Sequence, residues 1–205
     1  MEKNIYVVVS RTNTKVGRTI RKITGYDYNH VSISLDDKLN EMYSFARYRN
    51  NSFLVGGFVR ESILRYRDDE NPVKIKMYKI ELSESDYNEV LNTIETFKRS
   101  SSDYIYDTLG LVGIKRDRNK AKYKMYTCLS FANEVLERAN AINDGKQIKS
   151  IRELQNRLKK YPSSTKELTS DHMEDARWHE DEYPVNDGKI EKVKKSVNHL
   201  KKVVS

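Results

Sequence analysis

The chain has 205 residues with 38 basic and 30 acidic side chains, which give a formal net charge of +8. Its apolar fraction of 37% is below the ~45–50% of average proteins, and its charged fraction of 33% is above the average of ~25%. A compact core under a heavily charged surface is therefore expected. The apolar run at residues 5–9 is too short for a membrane span or a signal peptide, so a cytoplasmic protein is predicted.

Cysteine and histidine content argues against a metalloprotein. Cys128 is the only cysteine, which excludes an intramolecular disulfide and a cysteine-rich zinc site, and the four histidines are scattered. We therefore predict no metal and no cofactor. The positive charge is spread evenly, since residues 1–144 carry 24 basic and 20 acidic side chains and residues 145–205 carry 14 and 10, so each part has a net charge of +4.

The first 45 residues predict a strand, a helix and a two-stranded hairpin. The β-branched run at residues 5–9 is typical of a buried strand, and apolar residues at helical spacing then end at Gly25. Val31, Ile33 and Leu35 alternate with serines, and a turn at Asp36 follows. We expect the next strand to place four side chains on one face: Leu39, Glu41, Tyr43 and Phe45.

The middle of the chain predicts a long strand and two helices. Residues 73–82 alternate as a strand with one slip in the pattern, and Ser83 with Asp86 is a plausible helix cap before an apolar stripe that ends at Phe97. Residues 115–124 are rich in basic side chains and read as an exposed loop. Apolar residues at helical spacing then follow Cys128, so that cysteine is predicted to begin a helix.

The composition changes after residue 144, where aromatic residues become few. Ser150 and Glu153 form a capping-box pattern that predicts a helix, and residues 190–204 place an apolar stripe opposite lysines. We therefore divide the chain into a domain at 1–144 and a charged helical extension at 145–205. The stripe at 190–204 is expected to dock onto its own domain, with a partner protein, self-association or an anionic surface as alternatives.

Three polar residues are candidates for a catalytic site. Backbone amides at the start of a helix stabilise a thiolate, and Cys128 is predicted to occupy that position. His30 begins a strand directly after a turn, where an imidazole can pair with the thiolate and later protonate a leaving group. Glu41 on the partner strand has the reach to orient the imidazole if the hairpin register is short.

Each candidate also has an ordinary structural interpretation. A lone cysteine on the apolar side of a helix is more often packing, and His30 alone is more often a structural histidine. Glu41 could equally be an exposed charge on an edge strand. The order of a histidine strand, a glutamate strand and a cysteine at a helix start favours the joint catalytic interpretation.

Several short motifs resemble the circularly permuted NlpC-type papain-like cysteine hydrolases. They are NHVSISL at residues 29–35, EMYSF at 41–45, YD at 106–107 and YTCLSFA at 126–132. The YiiX-like proteins and the lecithin:retinol acyltransferase relatives are the closest analogues, and the resemblance covers about residues 3–140. Relatives often carry a serine and an acid after the cysteine, where this chain has Leu129 and Ser130.

The resemblance implies an α+β fold in which an antiparallel sheet packs against the cysteine-bearing helix. It implies Cys128 as nucleophile, His30 as base, Glu41 as orienting residue and Tyr106 as a residue that helps to stabilise the oxyanion. The implied activity is that of a peptidase, amidase or acyltransferase acting on peptide, peptidoglycan-like or acyl-amide substrates. A catalytically inactive papain-like binding module is the first alternative.

A basic binder of nucleic acid or of an anionic surface is the second alternative. Tyr48 and Tyr66 are flanked by arginines and have the chemistry to stack on bases. Most other basic residues alternate with acids, however, and no nucleic-acid-binding motif occurs. The charge pattern therefore favours the enzyme over this alternative.

Overall fold

The computed structural model describes residues 3–47, 56–62, 72–107 and 124–168, and within them the fold is mixed α+β. Six strands form one sheet: β1 (Lys3–Ser10), β2 (His30–Ser34), β3 (Met42–Arg47), β4 (Gly56–Glu61), β5 (Val73–Leu82) and β8 (Ser163–Leu168). Their order is β4-β3-β2-β1-β5-β8, and every neighbouring pair is antiparallel. This arrangement confirms the predicted α+β class and its antiparallel sheet.

The remaining elements are one small sheet and four α-helices among the described residues. Strands β6 (Tyr104–Tyr106) and β7 (Lys124–Tyr126) pair in parallel. The helices are α1 (Lys15–Thr24), α2 (Glu84–Arg99), α3 (Cys128–Arg138) and α4 (Ile151–Leu158), and a 3₁₀ turn covers Ser101–Asp103. None of these helices combines the length and apolarity needed to cross a bilayer.

Local signals in the sequence account for the helix ends. Thr14 caps α1 by accepting a hydrogen bond from the Gly17 amide at 3.1 Å, and Gly25 ends that helix with a φ of 60°, as predicted. Ser83 caps α2 by accepting a hydrogen bond from the Asp86 amide at 3.1 Å. Ser150 caps α4 in the same way through Glu153.

The β2–β3 hairpin forms, but β3 begins later than predicted. The Asp36 carboxylate accepts hydrogen bonds from the amides of Lys38 at 2.9 Å and Glu41 at 2.7 Å, so the turn extends to residue 41. Leu39 has a φ of 65° within this turn and is buried in a small second core rather than beside Phe45. The predicted shared face is therefore wrong for Leu39.

Strand β5 is buried on both faces, which explains the slip in its apolar pattern. Its register with β1 runs without interruption from Leu82 to Ile75, so the strand contains no bulge there. Val73, Ile75 and Met77 face the second core, whereas Tyr78, Ile80 and Leu82 face the main core, the larger cluster that contains Phe45. The change of pattern marks the point where burial moves from one face of the sheet to the other.

The main core lies between the large sheet and helices α2 and α3. Four phenylalanines form its centre, with ring centroids 5.3 to 5.9 Å apart: Phe45, Phe58, Phe97 and Phe131. Aromatic pairs at these separations add stabilisation beyond their burial. This core holds α3, and therefore its first residue, against β2 and β3.

Residues 145–168, which we assigned to a helical extension, contribute to the same core and sheet. Leu154 and Leu158 of α4 are fully buried in the main core, and β8 pairs with β5. Gln155 donates a hydrogen bond to the Tyr78 hydroxyl at 2.9 Å and accepts one from the Tyr26 hydroxyl. The apolar stripe at 190–204, Tyr48, Tyr66 and residues 115–123 lie outside the described residues.

Candidate active site

Cys128 is the first residue of α3 and is held there by a capping box. Thr127 accepts a hydrogen bond from the Ser130 amide at 3.1 Å through its hydroxyl, and the Ser130 hydroxyl accepts one from the Thr127 amide at 2.8 Å. The Phe131 amide bonds to the Thr127 carbonyl at 3.1 Å. The Cys128 thiol therefore lies at the positive end of a helix dipole, only 2% exposed.

His30 forms a buried ion pair with Glu61. Its Nε2 lies 3.0 Å from both carboxylate oxygens of Glu61, the last residue of β4, and Glu61 is fully buried. The Ser32 hydroxyl donates a hydrogen bond to the same carboxylate at 2.6 Å. These contacts fix the position of the imidazole and satisfy a carboxylate that would otherwise be costly to bury.

The electrostatics of this cluster favour a protonated imidazole. Burial by itself lowers the pKa of His30, but the opposing charge of Glu61, the charge of the Cys128 sulfur and hydrogen bonds to both groups raise it to about 10. Two of the three predicted catalytic residues, His30 and Cys128, are thus brought into contact. The contacts with Glu61 use Nε2, so proton exchange with the sulfur has to involve Nδ1.

Glu41 does not occupy the place that the sequence analysis gave it. It is exposed, and it precedes β3, where its carbonyl accepts a hydrogen bond from the Leu35 amide at 2.9 Å. The register pairs Ser34, the last residue of β2, with Met42. Glu41 therefore lies near the end of β2, whereas His30 is at its start. The carboxylate that contacts the imidazole is Glu61, which the sequence analysis did not single out.

Tyr106 is buried in the main core at the end of β6. Its parallel partner in the small sheet is Tyr126, and Thr127 alone separates that residue from Cys128. The Asp107 amide donates a hydrogen bond to the Tyr126 carbonyl at 2.8 Å, which continues this pairing towards the cysteine. The fold therefore brings the backbone of residues 106–107 beside the segment that leads into α3.

A cleft of about 350 Å³ opens onto the cysteine. It lies between the end of α1, the loop before β2 and the first turns of α3 and α4. Its walls are formed by Ile20, Thr24, Tyr26, Tyr28, Asn29, Thr127, Cys128, Leu129, Lys149, Ser150, Ile151 and Arg152. The cleft gives a small molecule or a chain end a place to approach the sulfur.

Asn29, directly before His30, fixes one wall of the cleft. Its side-chain oxygen accepts hydrogen bonds at 3.0 Å from the Thr12 amide and from Arg21, and its amide group donates to the Thr12 hydroxyl at 2.5 Å. Gly17 packs so closely that a Cβ there would lie 2.7 Å from Asn29 Nδ2. This wall is therefore rigidly tied to α1.

No protein-family model, curated protein or solved structure matches this chain. The geometry of the cleft and its side chains is therefore the basis on which a function can be inferred. Across residues 3–47, 56–62, 72–107 and 124–168, no three His, Cys, Asp or Glu side chains are grouped as a metal site requires.

The sequence contains a weak signal for Glu61 in retrospect. Gly56 and Gly57 precede the apolar pair Phe58 and Val59, and Glu61 ends this short extended segment. Such a pattern predicts a strand, but it does not distinguish a buried carboxylate from an exposed one. Only the pairing of β4 with β3 brings Glu61 towards β2.

Proposed function

We propose that this chain is a thiol-dependent hydrolase or acyltransferase that acts on an amide, ester or thioester bond. The observation that carries the proposal is the contact of a buried His30, held by Glu61, with Cys128 at the start of α3. A nucleophile, a base and an orienting carboxylate in this order are the parts that acyl transfer requires. The open cleft supplies access.

In the proposed mechanism Cys128 attacks the substrate carbonyl as a thiolate paired with the imidazolium of His30. Collapse of the tetrahedral intermediate forms a thioester, and the imidazolium gives its proton to the departing amine, alcohol or thiol. The neutral His30 then removes a proton from water or a second acceptor, which attacks the thioester, and the released thiolate again pairs with the imidazolium. Backbone amides at the start of α3, together with Tyr106, stabilise the oxyanion in this mechanism.

The resemblance to the permuted NlpC-type hydrolases agrees with this proposal in the order of its parts. The histidine strand precedes the cysteine helix, and the helix packs on an antiparallel sheet. We propose that the fold is of this permuted papain-like type, with Glu61 in place of Glu41 as orienting residue. Peptides, peptidoglycan-like peptides and acyl amides are the corresponding substrate classes.

Alkylation of the thiol at pH 6 tests the proposal directly. Because Cys128 is the only cysteine, intact mass measures its reaction with iodoacetamide without ambiguity. An imidazolium partner keeps the sulfur reactive at a pH where an ordinary thiol is almost fully protonated. The native protein is expected to react at least about tenfold faster than the urea-unfolded chain at pH 6, and His30→Gln is expected to remove this advantage.

Measurements of substrate hydrolysis complete the test. Cys128→Ala and His30→Ala are each expected to abolish hydrolysis of any true substrate, because nucleophile and base act in every turnover. Full activity in Cys128→Ala would rule out the thiol mechanism.

An inactive binding module is the second candidate, and the burial of Cys128 in the main core favours it. A free cysteine that is 2% exposed is often simple packing. Slow alkylation at pH 6 that does not depend on His30 would select this module over the enzyme.

A further inference from the structure

The walls of the cleft carry positive charge without an opposing carboxylate. Lys149 and Arg152 line it from the start of α4, and none of its described lining residues is acidic. Among the described residues neither cation forms an ion pair: the Arg152 guanidinium bonds to the Gly25 carbonyl at 3.2 Å and stacks on Tyr26 at 4.7 Å. The cleft therefore presents cationic groups with no counter-charge in its wall.

The acidic residues closest to these cations in sequence do not line the cleft. Glu153 accepts a hydrogen bond from the Lys149 backbone amide at 2.9 Å and pairs with Arg157 at 3.0 Å. Asp27 is exposed in the loop between Tyr26 and Tyr28 and does not line the cleft. A cleft wall whose charges all have the same sign raises the local concentration of ligands with the opposite charge.

The Arg152 side chain is also preorganised to bind a planar anion. Its guanidinium is held in place by the Gly25 carbonyl and the Tyr26 ring, so little conformational freedom remains to be lost on binding. A guanidinium presents paired N–H donors that match the two oxygens of a carboxylate. The cleft volume of about 350 Å³ is at the lower end of the ~300–1,000 Å³ range of ligand pockets. Because Cys128, Lys149 and Arg152 line the same small cleft, a group bound at Cys128 is close to both cations.

We infer that the cleft selects acyl substrates that carry a carboxylate near the reacting carbonyl, with Arg152 and Lys149 as the residues that bind it. This inference rests on the proposed function, because it takes Cys128 as the site of reaction. It assigns the apolar and aromatic wall, including Ile20 and Tyr28, to the uncharged part of the substrate.

Iodoacetate and iodoacetamide provide a matched pair of probes, since they place the same reactive carbon beside a carboxylate or a neutral amide. We would measure the rate of Cys128 alkylation by each reagent at low ionic strength and take the ratio of iodoacetate to iodoacetamide. The urea-unfolded chain supplies the intrinsic ratio. The ratio for the native protein is expected to exceed this intrinsic ratio by about tenfold or more, and added salt is expected to reduce the excess.

Variants distinguish the effect of Lys149 and Arg152 on this rate ratio from the effect of the His30 charge. Lys149→Gln with Arg152→Gln is expected to lower the ratio by about three- to tenfold, whereas Arg152→Lys, which keeps the charge, is expected to retain most of it. Lys159→Gln removes an exposed charge just after the end of the same helix and should leave the ratio unchanged. Circular dichroism confirms that each variant is folded.

The outcomes distinguish this inference from the proposed function. A native ratio equal to that of the unfolded chain, or one that the double variant leaves unchanged, overturns the carboxylate selectivity. Resistance of the native thiol to both reagents overturns it as well, because the cleft would then not lead to the sulfur. Loss of the His30-dependent rate at pH 6, with a charge preference intact, would instead reject only the proposed catalysis.

Discussion

Glu61 and His30 meet across an intervening strand, with both carboxylate oxygens 3.0 Å from Nε2. Glu61 ends β4 and His30 begins β2, and β3 lies between these strands in the sheet. Strands two apart in a sheet are separated by about 10 Å, so the two side chains have to reach across β3. Removing either partner therefore takes away the opposite charge that the other faces at 3.0 Å.

Glu61→Gln is expected to reduce the rate of Cys128 alkylation at pH 6 by at least about tenfold, because the neutral amide no longer stabilises the imidazolium. The folded state should also lose about 3–5 kcal/mol, as expected when one member of a buried pair is removed. The matched control is Glu41→Gln, which should behave like the unmodified protein. If Glu41→Gln slows the reaction and Glu61→Gln does not, the original assignment of Glu41 is restored.

The stability of the protein should depend on pH through His30. Below pH 6.5, the ordinary value, this residue is protonated in both the folded and unfolded chains, and its stabilisation is complete. Between pH 6.5 and about 10 only the folded chain keeps the proton because its pKa is raised, so the free energy of unfolding falls by up to ~1.4 kcal/mol per pH unit. Above that range the contribution is lost.

Urea titrations from pH 6 to 10.5 measure this dependence. His30→Gln provides the control, since it retains every other titrating group and should show a flatter curve. Parallel curves for the two proteins would contradict a raised pKa of His30.

Ser32→Ala should destabilise the protein more than Ser34→Ala. The Ser32 hydroxyl donates to the charged Glu61 at 2.6 Å, whereas the Ser34 hydroxyl donates to the neutral Asp36 carbonyl at 2.7 Å. Hydrogen bonds to charged groups contribute about 1.5–3 kcal/mol and neutral ones about 1 kcal/mol. Chemical denaturation of both variants checks the order, and equal losses would show that Glu61 does not depend on Ser32.

Leu154→Ala is expected to lower the free energy of unfolding by about 2–5 kcal/mol, because Leu154 is fully buried in the main core. Asn156→Ala on the exposed side of the same helix should change it by less than about 0.5 kcal/mol. Thermal melts followed by circular dichroism compare the two. Similar melting temperatures would mean that α4 is an appendage and not part of the core.

Local patterns in the sequence predicted the elements that carry Cys128 and His30. Each of three elements forms where its apolar pattern occurs in the sequence. The patterns are the continuous run at residues 5–9, the alternation at 31–35 and the helical spacing after Cys128. The contact between His30 and Cys128 was expected from their order along the chain. A pattern of this kind identifies an element and one of its faces.

The partner of His30 and the place of α4 depend on longer-range packing. Glu61 approaches the imidazole through the pairing of β4 with β3, and the Asp36 turn leaves Glu41 at the end of β2 that is distant from His30. The Tyr26–Gln155 hydrogen bond joins residues 129 positions apart. Strand β8 has one buried residue, Leu168, so it lacks the alternation by which strands are recognised.

The composition of β8 has a consequence for how the molecule behaves at high concentration. Its outer edge has no neighbouring strand among the described residues, and its first five side chains are exposed and hydrophilic: Ser163, Ser164, Thr165, Lys166 and Glu167. Unpaired strand edges are templates for strand addition by other molecules, and charged side chains oppose it. The hydrophilic sequence that hides β8 from sequence-based recognition thus also protects the sheet against edge-to-edge aggregation.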